Sequence, residues 1–385
     1  MKITKISTFA APYSLGSGPA LTGTNDKWIF LKIETDEGIT GWGEIGNSAA
    51  ISESLMATAV NEVEGQFIGE NPMDIDRLWN KLFRLFSYMG STGFTTSLTA
   101  GFDIALWDIK GRAANMPIYD LLGGRYRDSL RLYCNVWFID CYTPEDYANA
   151  AKKNLLDKNY EACKLDPFLE MTPYHTMYQD GFISQEGEQQ GYDIVAAVRE
   201  VVGPSFEILI DAHGHYNVPN AIRLSNNLFE QSNIAWFEEP LPPEGVDALK
   251  QVKESTNAPI CVGERLYTRS DFLPIFQNNL ADYIMPDTVW TGGISEIKKI
   301  STMAESYYIP VSPHVIPGGP IELIAAAHVM STIPNFYRLE HALTLISEHN
   351  KYLKEPYEIK NGHFYLSDKP GLGYEPDEEK LEQIN

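Results

Sequence analysis

From about residue 130 the chain repeats one pattern. A short apolar run ends in an ionisable residue and is followed by a segment of helical period. The runs centre on Tyr133, Lys164, Leu209, Trp236, Cys261, Ile284, Val311 and Tyr337, mostly 23 to 31 residues apart. The interval from the second run to the third is longer by about 20 residues, and its polar, aromatic content reads as an insertion at a strand's C-terminal end. Such β-loop-α repetition, without the Gly-rich fingerprint of an open dinucleotide-binding sheet, limits the choices severely. Eight units in roughly 215 residues predict a TIM-type (β/α) barrel.

The flanking segments follow other rules. In Trp28–Thr35, Ile29, Leu31 and Ile33 alternate with Phe30, Lys32 and Glu34, the period of a strand. Asp36-Glu37-Gly38 turns the chain into a further strand, Ile39 to Glu44, so the first 45 residues predict a small antiparallel sheet. Ser14 to Asp26, with three glycines, reads as a loop. Residues 50–123 take helical period, with Leu98, Phe102, Ala105, Leu106, Ile109 and Ala113 on one face and Gly123-Gly124 as the stop. Thr143-Pro144-Glu145-Asp146 has the form of a helix start. Near the C-terminus Asn361-Gly362 predicts a hairpin that returns to the N-terminal sheet. A chain of 385 residues is too long for one core. The expected division is an α+β domain over 1–125, joined by 355–385, and a barrel over 126–354.

A formal net charge of −22 argues against nucleic acid and anionic membranes as partners. It equally requires local positive charge wherever an anionic substrate is to bind. Cys134, Cys141, Cys163 and Cys261 lack metal or disulfide spacing and are expected to be free thiols. MKITKISTFA carries no signal-peptide apolar stretch, and no run is long enough to span a bilayer, so a cytoplasmic protein is expected.

Barrel chemistry sits where strands end. Those positions hold Lys164 and Asp166, Asp211 and His213, Glu238, Glu264, Asp287, His314 and Glu340. Asp211, Glu238 and Glu264 end three successive strands, 27 and 26 residues apart. Three carboxylates on neighbouring staves repel one another unless a cation joins them, and oxygen-only ligands favour Mg²⁺. A single acid at such a place more often caps a helix; three in register do not. Asp287 and His314 end neighbouring strands, so a carboxylate can orient the ring and raise its basicity for general-base work. His213, two residues beyond Asp211, is placed to act as an acid or base across the cup. Glu340 lies beside them, where it can donate or accept a strong hydrogen bond at a carboxylate oxygen, and His215 has no assigned role.

These residues and the segments around them resemble the enolase superfamily, in its mandelate racemase subgroup. AGFDIALWDIKGRAANMPIYDLLGG (100–124), DAHGHY, WFEEP, VGER, DYIMPD, TGGI, SPH and KPGLGYEPD carry the resemblance, which covers essentially the whole chain. It implies an α+β capping domain completed by the C-terminus and one Mg²⁺ held by Asp211, Glu238 and Glu264. It also implies removal of the proton α to a carboxylate, with the resulting enediolate stabilised by the metal and by Glu340.

Mandelate-type racemases resemble K-x-K at the end of the second barrel strand, where the second lysine is a base. Lys164-Leu165-Asp166 lacks it. Lys164 is left as an electrostatic partner for the substrate carboxylate and Asp166 as a hydroxyl contact. D-x-H-G at Asp211–Gly214 looks like the galactonate-type acid-sugar dehydratases, in which that histidine is the general acid; where they often carry Arg after the glycine, this chain has His215. The implied reaction is abstraction of the C2 proton by His314, backed by Asp287, and loss of the C3 hydroxyl protonated by His213. The product is a 2-keto-3-deoxy acid formed from an aldonate such as galactonate or gluconate. An epimerase, racemase or cycloisomerase using the same enediolate stays open, as does a non-catalytic regulator on the same fold. The substrate's distal end is expected to meet Ser14–Asp26, Phe86–Phe94 and the insertion after Asp166, and a homo-oligomer is expected.

Overall fold

A computed structural model describes residues 1–15, 26–46, 52–172 and 178–384 of the chain. Period-2 patterning yields an antiparallel meander of β1 (Ile3–Tyr13), β2 (Asp26–Thr35) and β3 (Thr40–Ile45). Ile29, Leu31 and Ile33 pack with Val60, Leu78 and Phe102, while Trp28 and Phe30 join the core shared with the barrel. The first of these cores is built by α1 (Glu53–Glu64), α2 (Ile75–Leu85) and α3 (Phe94–Ala114).

Leu98, Phe102, Ala105, Leu106 and Ile109 of α3 are buried as their spacing predicts. The opposite side of α3 is buried too, because the helix lies between sheet and barrel: Ile104 belongs to the shared core and Trp107 reaches Ser295. The helix ends earlier than expected, at Asn115, whose φ of 52° places it in the left-handed region that asparagine tolerates. Gly123-Gly124 instead follows the short α4 (Ile118–Leu121).

Strands and helices then alternate as β4 (Leu130–Asn135), α5 (Pro144–Asn154), β5 (Ala162–Leu165), α6 (Gln185–Val202) and β6 (Glu207–Asp211). They continue as α7 (Val218–Ser232), β7 (Trp236–Glu238), α8 (Val246–Ser255), β8 (Ile260–Val262), α9 (Arg269–Gln277) and β9 (Tyr283–Ile284). After α10 (Ile294–Ser306) and α11 (Pro320–Ser331) comes β10 (Leu339–Ala342), parallel to β4. The seventh stave consists only of bridges, Ile284 to Val311 and Val311 to Phe336, and these close the ring. Pro310 and Pro313 flank it and supply no N–H to a ladder. At the α5 start Thr143 and Asp146 form the expected capping box.

The C-terminus departs from expectation in one respect. After α12 (Leu345–Lys351), the hairpin of β11 (Ile359–Lys360) and β12 (His363–Phe364) forms at Asn361-Gly362, but it docks on the first barrel strand. Phe364 lies opposite Leu130. The strand that joins the N-terminal sheet is the final one, β13 (Glu382–Ile384), pairing antiparallel with β1. A turn signal sets a hairpin's shape and carries no information about which sheet edge receives it.

All four cysteines are buried free thiols. Among the described residues no helix is long and apolar enough to cross a membrane.

Candidate active site

Tyr133, Leu209, Trp236, Cys261 and Met285 fill the barrel interior and form a floor. One strand pitch above Leu209 and Trp236, on the same inward face, stand Asp211 and Glu238, which are register partners. Glu264 arrives differently. β8 stops at Val262, and Gly263, with φ +141°, turns the chain so that Glu264 enters the cup. A Cβ at Gly263 would lie 2.9 Å from the Phe272 ring and 3.0 Å from the Met285 nitrogen.

Each of these acids brings an oxygen within 4.8 Å of the others, and all three are buried. Burial, with Asp211 next in effect, pushes the Glu238 carboxyl well above the usual carboxylate range. Lys164 is the fixed cation among them, its Nζ 2.6 Å from Glu238, 2.9 Å from Glu340 and 3.0 Å from Asp211. Burial opposes the Lys164 charge, but Glu238 and Glu340 outweigh it and hold its pKa well above the ordinary value. Arg265 Nε also lies 3.5 Å from Glu264, but it is shared with Glu239, so the four acids still face too little positive charge. An all-oxygen, anionic, buried donor set of this kind fits a hard divalent cation.

Two histidines flank the cluster. His314 Nδ1 lies 2.7 Å from Asp287 Oδ2, and its Nε2 lies 3.4 Å from Glu264. Asp287 is itself fixed by the backbone N–H groups of Val289 and Trp290, which donate to Oδ1 at 2.9 and 2.8 Å. On the other flank, His213 Nδ1 lies 3.1 Å from Asp166 and 3.4 Å from Asp211. The strand has already ended there: His213 has φ 46°, so a left-handed turn, not strand alternation, aims the ring into the cup. Burial works against its charge, yet Asp166 and Asp211 prevail and raise its pKa to about 10.

The structure thus brings together every residue that the strand ends single out. Asp166 meets His213 rather than open space, and the Lys164 ammonium lies among carboxylates. Glu340 accepts at both oxygens, from Lys164 and Asn135 at one and from the Val315 N–H at the other. Burial notwithstanding, Lys164 and His314 hold its pKa below the usual value, so it serves as an acceptor.

Sequence reasoning missed the acids behind the cup. Glu239, at φ 42°, accepts from Gly263 N–H and pairs with Arg265, fixing the turn that delivers Glu264. Glu44 of β3 and Glu322 of α11 lie buried with Asp287 in one small cavity. A lone acid inside the apolar run of α11 was the available signal for Glu322. Of the segments expected near the substrate, most of Ser14–Asp26 and part of the insertion, 173–177, lie outside the described residues. Within Phe86–Phe94, a Cβ at Gly93 would lie 3.9 Å from the Tyr267 ring.

Comparison with known proteins agrees with this geometry. Residues 7–123 match the mandelate racemase / muconate lactonizing enzyme N-terminal domain, and residues 146–380 match the enolase C-terminal domain-like family. D-xylonate dehydratase of Haloferax volcanii is 34% identical over 363 residues, covering 93% of this chain and 85% of that protein. D-galactonate dehydratase of Pectobacterium atrosepticum is 35% identical over 390 residues, covering 98% and 93%. A crystal structure of an enolase superfamily member from Salmonella Typhimurium superposes with a TM-score of 0.89 at 31% identity, covering 100% of both chains. A capping sheet with its helices, a closed barrel with charged strand ends and these matches over both parts identify the chain as a member of the mandelate racemase / muconate lactonizing enzyme family of the enolase superfamily.

Proposed function

We propose that the protein is a Mg²⁺-dependent hydro-lyase that dehydrates an aldonic acid to its 2-keto-3-deoxy product. The observation that carries this reading is the placement of two differently partnered histidines on opposite flanks of one carboxylate cluster. Relatives that are dehydratases of sugar acids over nearly the whole chain support it.

Asp211, Glu238 and Glu264 would hold the cation. Bound there, it would act as a Lewis acid toward the substrate carboxylate, whose α-proton is otherwise too weakly acidic to remove. His314 takes the C2 proton, with Asp287 fixing the ring and balancing the imidazolium charge. His213, kept charged by Asp166 and Asp211, gives its proton to the C3 hydroxyl, which leaves as water. The enol then tautomerises to the 2-keto acid. Lys164 and Glu340 hold the charge pattern of the floor. Asp166 at the second barrel strand leaves no base facing His314 from that side, which favours elimination over racemisation.

A panel of C5 and C6 aldonic and aldaric acids, incubated with Mg²⁺ and assayed with semicarbazide, tests the proposal. A 2-keto-3-deoxy product that disappears on chelation and returns with Mg²⁺ is expected. Exchange of the C2 proton in D₂O with no 2-keto product from any member would instead establish an epimerase.

A further inference from the structure

The cavity behind the His314–Asp287 pair contains three buried carboxyls and little positive charge. Asp287, Glu44 and Glu322 line it, each no more than 2% exposed. Lys27 also lines it, but its ammonium is engaged by Glu53 at 2.8 Å and Glu382 at 3.2 Å. Three anions cannot share such a space, so a proton must reside on one of them.

The hydrogen-bond donors indicate which. Asp287 receives the N–H groups of Val289 and Trp290 and faces His314 Nδ1. Glu44 receives the N–H groups of Gly319 at 2.6 Å and Glu322 at 3.0 Å, at the positive end of α11. Both are built as acceptors. Among the described residues no N–H or hydroxyl donates to the Glu322 carboxyl, and Oε1 is fully buried without a donor. The side chain it faces in the cavity is Asp287. Two carboxyls can bond only if one carries the proton, and Asp287 already has three donors. Space for the group is provided by the backbone: a Cβ at Gly318 would fall 1.6 Å from Glu322 Oε2, and one at Gly319 would fall 2.7 Å from both Glu44 oxygens. Burial, followed by the charges of Asp287 and Glu44, pushes the Glu322 carboxyl well above its ordinary range.

We propose that Glu322 is a neutral carboxylic acid that donates a hydrogen bond to Asp287 and thereby positions the His314–Asp287 pair. It is a positioning residue: its proton stays in place through turnover, and it touches neither the substrate nor the cation site. With Glu322 donating, Asp287 remains an anion with a fixed orientation while His314 gains and loses its proton. The proposal rests on the reading of His314 as the base.

Glu322→Gln and Glu322→Met in the full chain with Mg²⁺ test it. The Gln amide is neutral and still donates, so C2-proton exchange and turnover within about twofold of the parent are expected. Met removes the donor, and kcat should fall roughly tenfold or more with KM within about twofold. Unchanged kcat in Glu322→Met, or a loss in Glu322→Gln as large as in Glu322→Met, would overturn the proposal. Infrared spectroscopy without substrate gives a second reading that needs neither activity nor the Met variant to fold. The difference spectrum, parent minus Glu322→Gln at pH 7, should contain the carbonyl stretch of one protonated carboxyl, and its absence would overturn the proposal. If the band behaves as expected while His314→Asn retains exchange, the base assignment fails and the Glu322 assignment survives.

Discussion

His213 and His314 occupy one cup, yet their neighbours differ. His314 is gripped at Nδ1 by an Asp287 carboxylate that backbone N–H groups hold in place, so Nε2 is the atom presented toward Glu264 and the cluster. His213 is held between two acids, Asp166 and Asp211, which favour its protonated form. On the proposed reading, His314 receives a proton and His213 gives one. His314→Asn is expected to abolish both C2-proton exchange and turnover, a loss of roughly 10²–10⁴-fold or more. His213→Asn should lower dehydration on a similar scale while leaving part of the exchange, measured by NMR in D₂O. Equal loss of exchange in both variants would remove the distinction.

Secondary-structure elements carry the cap's contribution to this chemistry. The barrel helices α10 and α11 follow the strand ends that bear Asp287 and His314, and each begins at a glycine with no side-chain cap of its own. Acids from the cap supply what is missing. Asp103 of α3 accepts from the Ser295 N–H at 2.9 Å and from its hydroxyl at 2.6 Å, while Glu44 of β3 accepts at the start of α11. Glu44→Ala leaves buried N–H groups unpaired at a helix terminus and opens a void, a cost of about 2–4 kcal/mol. The expected readout is a lower urea midpoint together with reduced kcat, since the loop from His314 to Gly319 loses its anchor. A stable variant with parental kcat would show that the loop is held by other contacts. These acids also mark the limit of sequence reasoning. Asp211, Glu238, Glu264, Asp287, His314 and Glu340 were legible because a barrel brings all strand ends to one rim, whatever the details of packing. Glu44 and Glu322 were not, because their neighbours lie in a different domain or inside a helix, and no local period encodes that meeting. The same holds for the C-terminal hairpin, visible as a turn but silent about its edge.

At the scale of the whole molecule, cap, barrel and C-terminal segment meet at His349. Its Nδ1 lies 2.7 Å from the Tyr357 hydroxyl and its Nε2 3.0 Å from the Gly318 carbonyl, and its ring packs edge-on to Trp28 of the cap. The neutral ring satisfies both neighbours: Nε2–H donates to the carbonyl and Nδ1 accepts from the phenol. Burial pushes its pKa down to about 3. His328 and His341, also buried, are pushed down to about 4 by the same cause. An unfolded histidine titrates near pH 6.5, so the neutral buried rings contribute their full stability above that value. As pH falls below about 6.5 the unfolded chain gains protons that the folded one refuses, and stability is lost down to the folded pKa values. Buried acids whose pKa is raised, such as Glu44 at about 8, contribute a slope of the opposite sign, so the parental curve alone does not isolate this effect. A difference between two curves does. His349→Gln can keep both hydrogen bonds but cannot titrate, and should therefore lose less stability on acidification, by up to about 1.4 kcal/mol per pH unit between pH 6.5 and pH 4.5. Urea denaturation at several pH values, with Mg²⁺ held constant, measures that difference. Parallel curves would mean that His349 becomes protonated in the folded seam as readily as in the unfolded chain.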